Sequence, residues 1–281
     1  MKIYRSNAKI NIGLRIVGKR PDGYHELESI FQEISLCDEI LIRKRPRGIK
    51  IQSSHPDLPV DEKNLCFRVF QLMAEKFRIN AGVEIELIKN IPMGSGLGGG
   101  SSNAAICLEA INELYDLGLS AGQLMELGAQ VGSDIPFFIL GKAAFVRGRG
   151  EIVQPIRFLA DYQVLIVHPE IHISTAFVYK NFELGLTKYG SDVKFEALIS
   201  RVQTLGDLNR LFFNDLEEIA IRYYPELSGI RQQLEAIGAR FVSLSGSGSA
   251  MYGLFPLDED VSAVKDRVFP HFRVYVVKPV V

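Results

Sequence analysis

Polar and hydrophobic residues alternate along several stretches of this 281-residue chain, as in a β-strand with one buried face. Three stretches in the first part of the chain show the alternation: KINIGLRIVG (9–18), IFQEISLCDEILIRK (30–44) and VEIELI (83–88). In the first of them the aliphatic residues share one face, and Lys9, Asn11 and Gly13 share the other. A turn-rich segment, 19–29, separates the first two stretches. The pattern predicts three strands, the first with a polar face that includes a lysine.

Helical spacing, with apolar residues three or four positions apart, is found in other segments. These are 64–77, 104–115, 120–132, 195–203, 215–222 and 227–237. Further strands are predicted for SDIPFFIL (133–140), for a hairpin over 141–156 and for YQVLIVHPEI (162–171). The elements lack the regular strand–helix–strand repeat of a doubly wound sheet. Their order predicts an α+β fold with two domains, residues 1–156 and 157–281.

The segment IPMGSGLGGGSSNAA (91–105) concentrates glycine and serine between a predicted strand and a predicted helix. A flexible linker is one explanation for such a composition, but the ordered elements on both sides argue against it. Ser101, Ser102 and Asn103 are candidates for the N-cap of the helix. A glycine loop at a helix N-terminus presents free backbone N–H groups and the positive end of the helix dipole. We therefore predict an anion-binding site.

Two general phosphate-binding motifs can be compared with this loop. The Walker A motif needs a lysine after its second glycine, and Gly100 occupies that position when the count begins at Gly94. The dinucleotide motif GxGxxG is matched by Gly94, Gly96 and Gly99, but it also needs a second strand that ends in an acidic residue after the helix. Another helical pattern follows here instead. A dehydrogenase is thus an alternative with little support.

The charges and the cysteines narrow the possible functions. The chain has 32 basic and 33 acidic residues, so it lacks the basic excess with which many proteins bind nucleic acid. Cys37, Cys66 and Cys107 form no CxxC pair, which favours a reducing compartment. The sequence shows neither a signal-peptide core nor an apolar run of membrane-spanning length. We expect a soluble cytoplasmic protein that binds neither nucleic acid nor membrane.

A second candidate for chemistry is HPEIH (168–172), because two histidines four positions apart bind metal when they lie on a helix. Pro169 and the apolar strand before it disfavour a helix at this point. No other group of His, Asp and Glu residues has the spacing of a metal site. We therefore expect no metal site formed by the protein alone.

Three motifs resemble those of one superfamily, and they occur in the expected order. PMGSGLGGGSSNAA is similar to the central motif of the GHMP kinases, and SNAKINIGLRI (6–16) and SLSGSGSAMYGLF (243–255) resemble the N-terminal and C-terminal motifs. The resemblance covers nearly the whole chain. It implies an α+β, two-domain GHMP kinase fold with the active site in the cleft between the domains. It also implies that the glycine loop wraps the phosphates of ATP without a Walker lysine.

A narrower resemblance concerns the acceptor. It is carried by PDGYHELESIFQEI (21–34), VGSDIPFFILGKAAFVRGRGE (131–151) and LNRLFFNDLE (208–217). These segments are similar to those of GHMP kinases that phosphorylate the 2-hydroxyl of 4-diphosphocytidyl-2-C-methyl-D-erythritol, in the non-mevalonate route to isoprenoid precursors. ATP is then the donor, and Mg²⁺ is delivered with ATP. Ser95 departs from the pattern, since many members have glycine there, and residues 180–205 resemble the family less.

The resemblance implies roles for particular residues. Asp134 would take the proton of the acceptor hydroxyl, and Lys9 would orient its carboxylate. Without the resemblance, Asp134 is explained as a turn residue and Lys9 as a solvated lysine at a strand edge. The implied nucleotide-binding residues are Asn64, Lys89, Pro92, Met93, Gly94, Ser95, Gly96, Leu97, Gly98, Gly99, Gly100, Ser101 and Ser102. The implied acceptor-binding residues are Asn11, Tyr24, His25, Tyr179, Gly246 and Gly248.

Each of these side chains also has a structural explanation. Tyr24 and Tyr179 are suited to stacking on the two faces of a pyrimidine, and His25 to bonding its edge, but all three could simply pack in the fold. Ser101 and Ser102 offer hydroxyls to phosphate or magnesium, or they cap the helix alone.

Three other functions remain open at this point. One is a GHMP kinase for homoserine, mevalonate or a sugar, although such acceptors have no cytosine for PDGYHEL to recognise. Another is a degenerate kinase that only binds a nucleotide, and the last is the dehydrogenase considered above. The oligomeric state is not predicted.

Overall fold

Two β-sheets with helices packed against them form the frame of the protein. The computed structural model describes residues 2–182, 187–189 and 193–281. The strands in these ranges are β1 (Ile3–Lys19), β2 (His25–Arg45), β3 (Ile49–Ser53), β4 (Gly82–Ile88), β5 (Ala143–Gly148), β6 (Ile152–Pro155), β7 (Tyr162–His168), β8 (Phe241–Leu244), β9 (Met251–Pro256) and β10 (Arg273–Val277). The helices are α1 (Leu65–Phe77), α2 (Gly99–Leu114), α3 (Ala121–Val131), α4 (Ile135–Leu140), α5 (Thr175–Lys180), α6 (Phe195–Ile199), α7 (Leu205–Leu211), α8 (Glu217–Tyr223), α9 (Glu226–Ala236) and α10 (Ser262–Val268).

The long strands β1 and β2 form the centre of the first sheet. Its described strands lie in the order β3-β4-β2-β5-β6, with β1 also paired to β2, and all pairs are antiparallel except β3 with β4. In the β1–β2 register, Lys9 lies opposite Glu33 and Asn11 lies opposite Phe31. Lys9 and Asn11 are only 3% and 1% exposed. Strand β1 therefore carries two polar side chains into the interior, where each needs partners.

The second sheet is antiparallel, and its described strands lie in the order β10-β7-β9-β8. Every residue of β7 is buried, as expected for the apolar run that predicted this strand. Helix α9 packs against β8 and β9. Residues 245–250 link these two strands, so the sheet fixes both ends of the second glycine loop.

Helices α1 to α4 pack together beside the first sheet. Helix α1 begins after Asn64, whose side chain accepts a hydrogen bond from Cys66 N, and α3 begins with a capping box between Ser120 and Gln123. Helix α2 starts directly after the glycine loop and packs against β1 and β2. No helix in the described ranges combines the length and the apolar character needed to cross a lipid bilayer.

Most of the predicted elements are confirmed with moved boundaries. Strand β2 begins at His25, so the turn predicted over 19–29 is confined to residues 20–24. The predicted hairpin over 141–156 forms β5 and β6, and the three predicted C-terminal helices correspond to α6, α8 and α9. Several short elements escaped prediction, namely β3, α5, α7, α10 and β10. Segments this short contain too few repeats of the hydrophobic pattern to be recognised as strands or helices.

The prediction of a strand over 133–140 is wrong, because Ile135–Leu140 form α4 with Pro136 in its first turn. Proline is favoured there, since the N–H that it lacks would have no partner within the helix. Helix α4 packs between α2 and α3, and Ile135 and Phe137 are fully buried. A short apolar run that is buried on several sides has no period that distinguishes a strand from a helix.

The prediction for the N-cap of α2 is also wrong. It named Ser101, Ser102 and Asn103. The helix begins at Gly99, after Gly98 with a φ of 73°, so these residues are its third, fourth and fifth. Ser102 Oγ lies 2.7 Å from Ser6 Oγ, and Asn103 Nδ2 donates to the carboxylate of Asp38. Side chains near the start of α2 therefore tie the helix to the first sheet instead of capping it.

Backbone hydrogen bonds join the two halves of the chain. Leu14 N donates to Phe213 O at 2.8 Å, and Asp215 N donates to Leu14 O at 2.9 Å. One large hydrophobic cluster combines residues of β1 and β2 with residues of β7 and β9. The domain boundary at 156/157 falls between the two sheets, but it stays a prediction, since the halves share this core.

Candidate active site

A cleft of about 1100 Å³ is bordered by both glycine loops, and residues from both halves of the chain line it. It brings together most of the residues that the sequence predicts for the site. These are Lys9, Asn11, Tyr24, His25, Lys89, Pro92, Met93, Gly94, Ser95, Gly96, Leu97, Gly98, Gly99, Gly100, Ser101, Asp134, Tyr179 and Gly246. The predicted residues Asn64, Ser102 and Gly248 lie outside this lining.

The first glycine loop packs closely against other parts of the protein. Gly94, Gly96 and Gly98 have φ angles of 65°, 79° and 73°, a region in which a side chain is strained. A Cβ on Gly96 would lie 2.0 Å from Ser245 O, and one on Gly98 would lie 2.7 Å from the ring of Phe138. Contacts within the protein therefore exclude a side chain at Gly96 and Gly98, whether or not a ligand is bound.

The N-terminus of α2 opens on the cleft. Backbone N–H groups of a first helical turn have no carbonyl partner within the helix, and they carry the positive end of its dipole. At Gly100 an added Cβ would meet nothing closer than Leu65 Cδ1 at 3.9 Å, and Ser101 follows at the cleft wall. The start of α2 therefore suits an anionic ligand, as the sequence predicts.

Lys9 is a buried cation beside both loops. Its Nζ donates to Asn11 Oδ1 at 2.5 Å and to Gly96 O at 2.6 Å, and it lies 4.9 Å from the centroid of the Phe31 ring. Burial lowers the pKa of Lys9 to about 8, and the charge of Asp134 opposes that shift. The side chain remains largely protonated at neutral pH, so it can neutralise an anion that enters the cleft.

Asp134 lies directly before α4, near Lys9. Burial raises the pKa of its carboxyl group, and the Lys9 ammonium opposes the rise. A Cβ on Gly150 would lie 2.9 Å from Asp134 Oδ1, so the turn between β5 and β6 passes close to the carboxylate. Gly150 has a φ of 124°, which a residue with a side chain rarely adopts. The carboxylate is therefore confined, and its environment favours acceptance of a proton.

The rings of Tyr24, His25 and Tyr179 also line the cleft. The rings of His25 and Tyr179 are in contact, with centroids 5.2 Å apart and planes inclined by 35°. Tyr24 is 54% exposed, and the guanidinium of Arg149 lies 5.0 Å from its ring centroid. Burial and the charge of Lys19 lower the pKa of His25, which favours the neutral imidazole, a form that can donate one hydrogen bond and accept another.

A buried polar network that sequence reasoning missed anchors the segment before the first glycine loop. Asp38 is fully buried, and its carboxylate forms an ion pair with Lys89 and accepts from Asn103 Nδ2 at 2.9 Å. The backbone N–H groups of Asn90 and Ile91 also donate to it, at 2.8 and 2.9 Å. The signal that could have identified Asp38 is an aspartate within an otherwise alternating apolar strand.

The two residues predicted for the adenine pocket have partners within the protein. Asn64 accepts from Cys66 N at 2.9 Å and donates to Pro59 O at 2.7 Å, so its amide serves as a helix cap. Lys89 lines the cleft but is paired with Asp38. Contacts of these residues with a nucleotide stay predictions, and the position of Asn64 outside the cleft lining does not favour one.

The second glycine loop, residues 245–248, is hydrogen-bonded to the first glycine loop and to the first residue of α5. Ser245 Oγ donates to Gly96 O at 2.9 Å, and the hydroxyls of Ser247 and Thr175 lie 2.8 Å apart. Because Gly96 O also accepts from Lys9, one carbonyl joins the two loops to the buried cation. Ser245 was not among the predicted residues.

The two glycines predicted to bind the acceptor differ in position. A Cβ on Gly246 would lie 3.4 Å from Asn11 Oδ1, so this glycine borders the polar centre of the cleft. A Cβ on Gly248 would instead lie 3.0 Å from Leu244 Cδ1 and 3.3 Å from Ile173 Cδ1. Gly248 therefore packs against apolar side chains, and its contact with the acceptor has no support in the structure.

The HPEIH segment is not helical, as predicted. His168 is the last residue of β7, and residues 169–174 form no regular element. His168 is buried, and neither ring nitrogen has a hydrogen-bond partner in the described part of the chain. Burial lowers the pKa of its imidazole. His172 is exposed and lies beside Gly94, so the two histidines have separate surroundings.

Comparison with known proteins shows which family the chain is similar to. Family models of the GHMP kinase N-terminal and C-terminal domains match residues 64–142 and 195–272. A crystal structure of 4-(cytidine 5'-diphospho)-2C-methyl-D-erythritol kinase has a TM-score of 0.83 and 33% identity, and the alignment covers 99% of each chain. A homoserine kinase from Cytophaga hutchinsonii has a TM-score of 0.75 at 19% identity, covering 98% of this chain and 93% of its own, which indicates a shared fold alone. The fold and the paired glycine loops thus define a GHMP kinase.

Curated relatives narrow the assignment. The 4-diphosphocytidyl-2-C-methyl-D-erythritol kinase of Geobacillus kaustophilus is 40% identical over 262 residues, which cover 92% of this chain and 90% of that protein. The enzyme of the same name from Syntrophotalea carbinolica is 36% identical over 283 residues, covering 100% of this chain and 99% of its own. The chain belongs to the 4-diphosphocytidyl-2-C-methyl-D-erythritol kinase family. The α+β GHMP kinase fold implied by the motifs is thereby confirmed.

Proposed function

We propose that this chain transfers the γ-phosphoryl group of ATP to the 2-hydroxyl of 4-diphosphocytidyl-2-C-methyl-D-erythritol, giving the 2-phosphate and ADP. The observation that carries the proposal is a single cleft lined by a helix N-terminus, by the opposite charges of Lys9 and Asp134, and by the rings of Tyr24, His25 and Tyr179. Relatives named for this substrate over nearly their full length support the choice of acceptor. A role in the non-mevalonate route follows from that acceptor, and a cytoplasmic location stays a prediction.

The first glycine loop and the start of α2 would hold the phosphates of ATP through backbone N–H groups. Within the described ranges, no group of three or more His, Cys, Asp or Glu side chains is placed to hold a metal ion. Magnesium prefers oxygen ligands and is commonly bound through substrate phosphates, so the Ser101 hydroxyl suits an ion delivered with ATP. Such an ion would neutralise charge on the transferred phosphoryl group.

The transfer itself needs a base and a cation. The acceptor oxygen forms a bond to the γ-phosphorus, the bond between that phosphorus and the ADP oxygen breaks, and the proton of the hydroxyl passes to Asp134. Burial raises the pKa of Asp134, which makes it a stronger base than an exposed aspartate. Lys9 is held by Asn11 and Gly96, and its charge offsets the negative charge that develops near the reacting atoms.

These three rings support recognition of the cytosine. The exposed ring of Tyr24 offers a face for stacking without any rearrangement. The ring of Tyr179 is in contact with that of His25, with centroids 5.2 Å apart. Tyr179 would therefore cover the second face of the pyrimidine beside the imidazole that bonds its edge.

Phosphorus NMR of the purified protein with Mg-ATP and 4-diphosphocytidyl-2-C-methyl-D-erythritol tests the proposal. We expect a new phosphomonoester signal, release of ADP and an unchanged diphosphate in the acceptor. Turnover of homoserine or mevalonate but not of this acceptor would support a kinase activity but refute the roles of Tyr24 and His25 in recognition of the cytosine. Binding of ATP without turnover of any acceptor would leave only a nucleotide-binding module.

The same assay tests the base. Asp134→Asn is expected to abolish phosphoryl transfer and to leave ATP binding nearly unchanged, because the amide keeps the shape but accepts no proton. Asp116→Asn is a matched control: Asp116 is exposed with a φ of 52°, a conformation that asparagine tolerates. Near-normal turnover by Asp134→Asn would remove Asp134 from the mechanism.

A further inference from the structure

The motif LNRLFFNDLE (208–217) has no part in the mechanism above, yet its centre lies where the two halves of the chain meet. Asn214 is 4% exposed and forms a short parallel bridge with Leu14 of β1. Backbone bonds on both sides fix this bridge, from Leu14 N to Phe213 O and from Asp215 N to Leu14 O. Asn214 is therefore tied to the strand that carries the buried lysine.

The amide of Asn214 reaches the second glycine loop. Its Nδ2 donates to Leu244 O at 2.8 Å and to Gly246 O at 2.7 Å, while its Oδ1 accepts from Leu216 N at 3.0 Å. Both amide protons and the amide oxygen are thus used, a combination that a carboxylate or a hydroxyl cannot provide. The side chain fixes the end of β8 and the second residue of the loop relative to β1.

The loop that Asn214 holds touches the reacting groups. A Cβ on Gly246 would lie 3.6 Å from Lys9 Nζ and 3.4 Å from Asn11 Oδ1. The hydroxyl of Ser247 bonds to that of Thr175, the first residue of α5, and α5 carries one of the acceptor-side rings. A displaced loop would therefore disturb both the buried cation and the place where the acceptor binds.

We propose that Asn214 is a positioning residue that sets the second glycine loop against Lys9 and Asn11 for acceptor binding. The kinetic part of this inference rests on the proposed function, whereas the structural part does not. Glu217 supports the same region separately, since Leu244 N donates to its carboxylate at 2.8 Å. A substitution of Asn214 should therefore displace the second glycine loop, while the hydrogen bond to Glu217 still holds the end of β8.

Asn214→Asp is the sharpest test, because it keeps the shape and the acceptor oxygen but places an oxygen against two carbonyl groups. We expect the KM for the acceptor to rise about tenfold or more, since two buried hydrogen bonds are lost. Asn214→Ala should change the acceptor KM in the same direction, and it serves if the aspartate variant does not fold. Asn209→Asp is the matched control, because Asn209 also donates to a backbone carbonyl, that of Arg240, but at an exposed site.

Hydrogen–deuterium exchange gives a readout that does not depend on the acceptor. The N–H of Gly248 donates to Ser245 O, and that of Ser245 donates to Ala250 O, so their exchange reports the order of the loop. In Asn214→Asp we expect faster exchange at these amides and unchanged protection in β7. A global loss of stability would instead raise exchange in both regions and would overturn the proposal.

The outcomes separate this inference from the proposed function. Faster loop exchange together with a raised acceptor KM supports the positioning role. Wild-type exchange in the loop of a folded variant overturns it, and so does faster exchange with an unchanged acceptor KM. If the wild-type chain does not turn over this acceptor, the proposed function fails, while the exchange rates still decide whether Asn214 holds the loop.

Discussion

Replacing Gly96 with alanine tests whether contact between the two glycine loops sets the geometry of the cleft. The new Cβ would lie 2.0 Å from Ser245 O and 3.1 Å from Gly248 O. Carbon and oxygen atoms that are not bonded to each other stay at least about 3 Å apart, so the loops must separate by about 1 Å. That separation weakens the two hydrogen bonds at Gly96 O, from Lys9 Nζ at 2.6 Å and from Ser245 Oγ at 2.9 Å.

The expected effect on stability follows from these contacts. A neutral hydrogen bond contributes about 1 kcal/mol and one from a charged donor about 2 kcal/mol. Alanine in a left-handed conformation adds about 1 kcal/mol of backbone strain. We therefore expect Gly96→Ala to lower the free energy of unfolding by about 4 kcal/mol, which corresponds to a fall in Tm of about 8 °C for a chain of this size.

Gly118→Ala is the matched control, because Gly118 has a φ of 66° and an added Cβ there would meet nothing within 4 Å. It should lose only the strain of about 1 kcal/mol and keep its kcat/KM. For Gly96→Ala we expect kcat/KM to fall about hundredfold, since a displacement of about 1 Å at the reacting groups has an effect of that size. Urea denaturation and a coupled assay of ADP release measure both quantities. Equal stability losses in the two variants, with activity retained in both, would refute the reasoning.

Four further predictions concern buried ionisable groups. Above a pH of about 8 Lys9 loses its proton, so the kcat/KM of the wild type should fall there, whereas that of Lys9→Arg should not. The pH profiles of kcat/KM for the two proteins check this, and the same decline in both would contradict it. Because the same pKa lies below the ordinary 10.5, the unfolded chain binds the extra proton, and the free energy of unfolding should rise between these two pH values. Lys89→Met leaves the buried carboxylate of Asp38 without its ion-pair partner and should lower the free energy of unfolding by about 3 to 5 kcal/mol. Adding Asp38→Asn should restore much of this loss, which urea titrations of the single and the double variant measure. His168 is buried with a lowered pKa, so stability should decrease as the pH falls below the ordinary 6.5, and thermal melts of His168→Leu should show a weaker dependence.

Local patterns predicted much of the fold and of the site. The period of two found β1, β2 and β4, and the glycine loop was recognised from its place between a strand and a helix. The motifs also placed Lys9 and Asp134 in one cleft although they lie far apart in the chain. What these predictions share is that the relevant pattern is contained in a short stretch of sequence.

The residues that sequence reasoning missed act through distant partners. Asp38 is bonded to Lys89 and Asn103, and Asn214 is bonded to the loop after β8. No short stretch contains both members of such a pair, so their roles become visible only in the folded chain. The error at α4 has a similar cause, since its helical form depends on the surfaces of α2 and α3 against which it packs.

The bonds between β1 and residues 213–215 also bear on how the chain folds. The carboxylate of Asp215 accepts from Ile16 N across 199 positions of sequence, and Ile10 and Ile12 of β1 share a hydrophobic cluster with Val164 of β7. A fragment that ended at residue 156 would leave these groups without partners, so we expect it not to fold alone. Contacts this far apart in sequence require a large loop to close first, which slows their formation. We therefore expect the contacts between β1 and residues 213–215 to form late, and the two halves of the chain to unfold in one cooperative step.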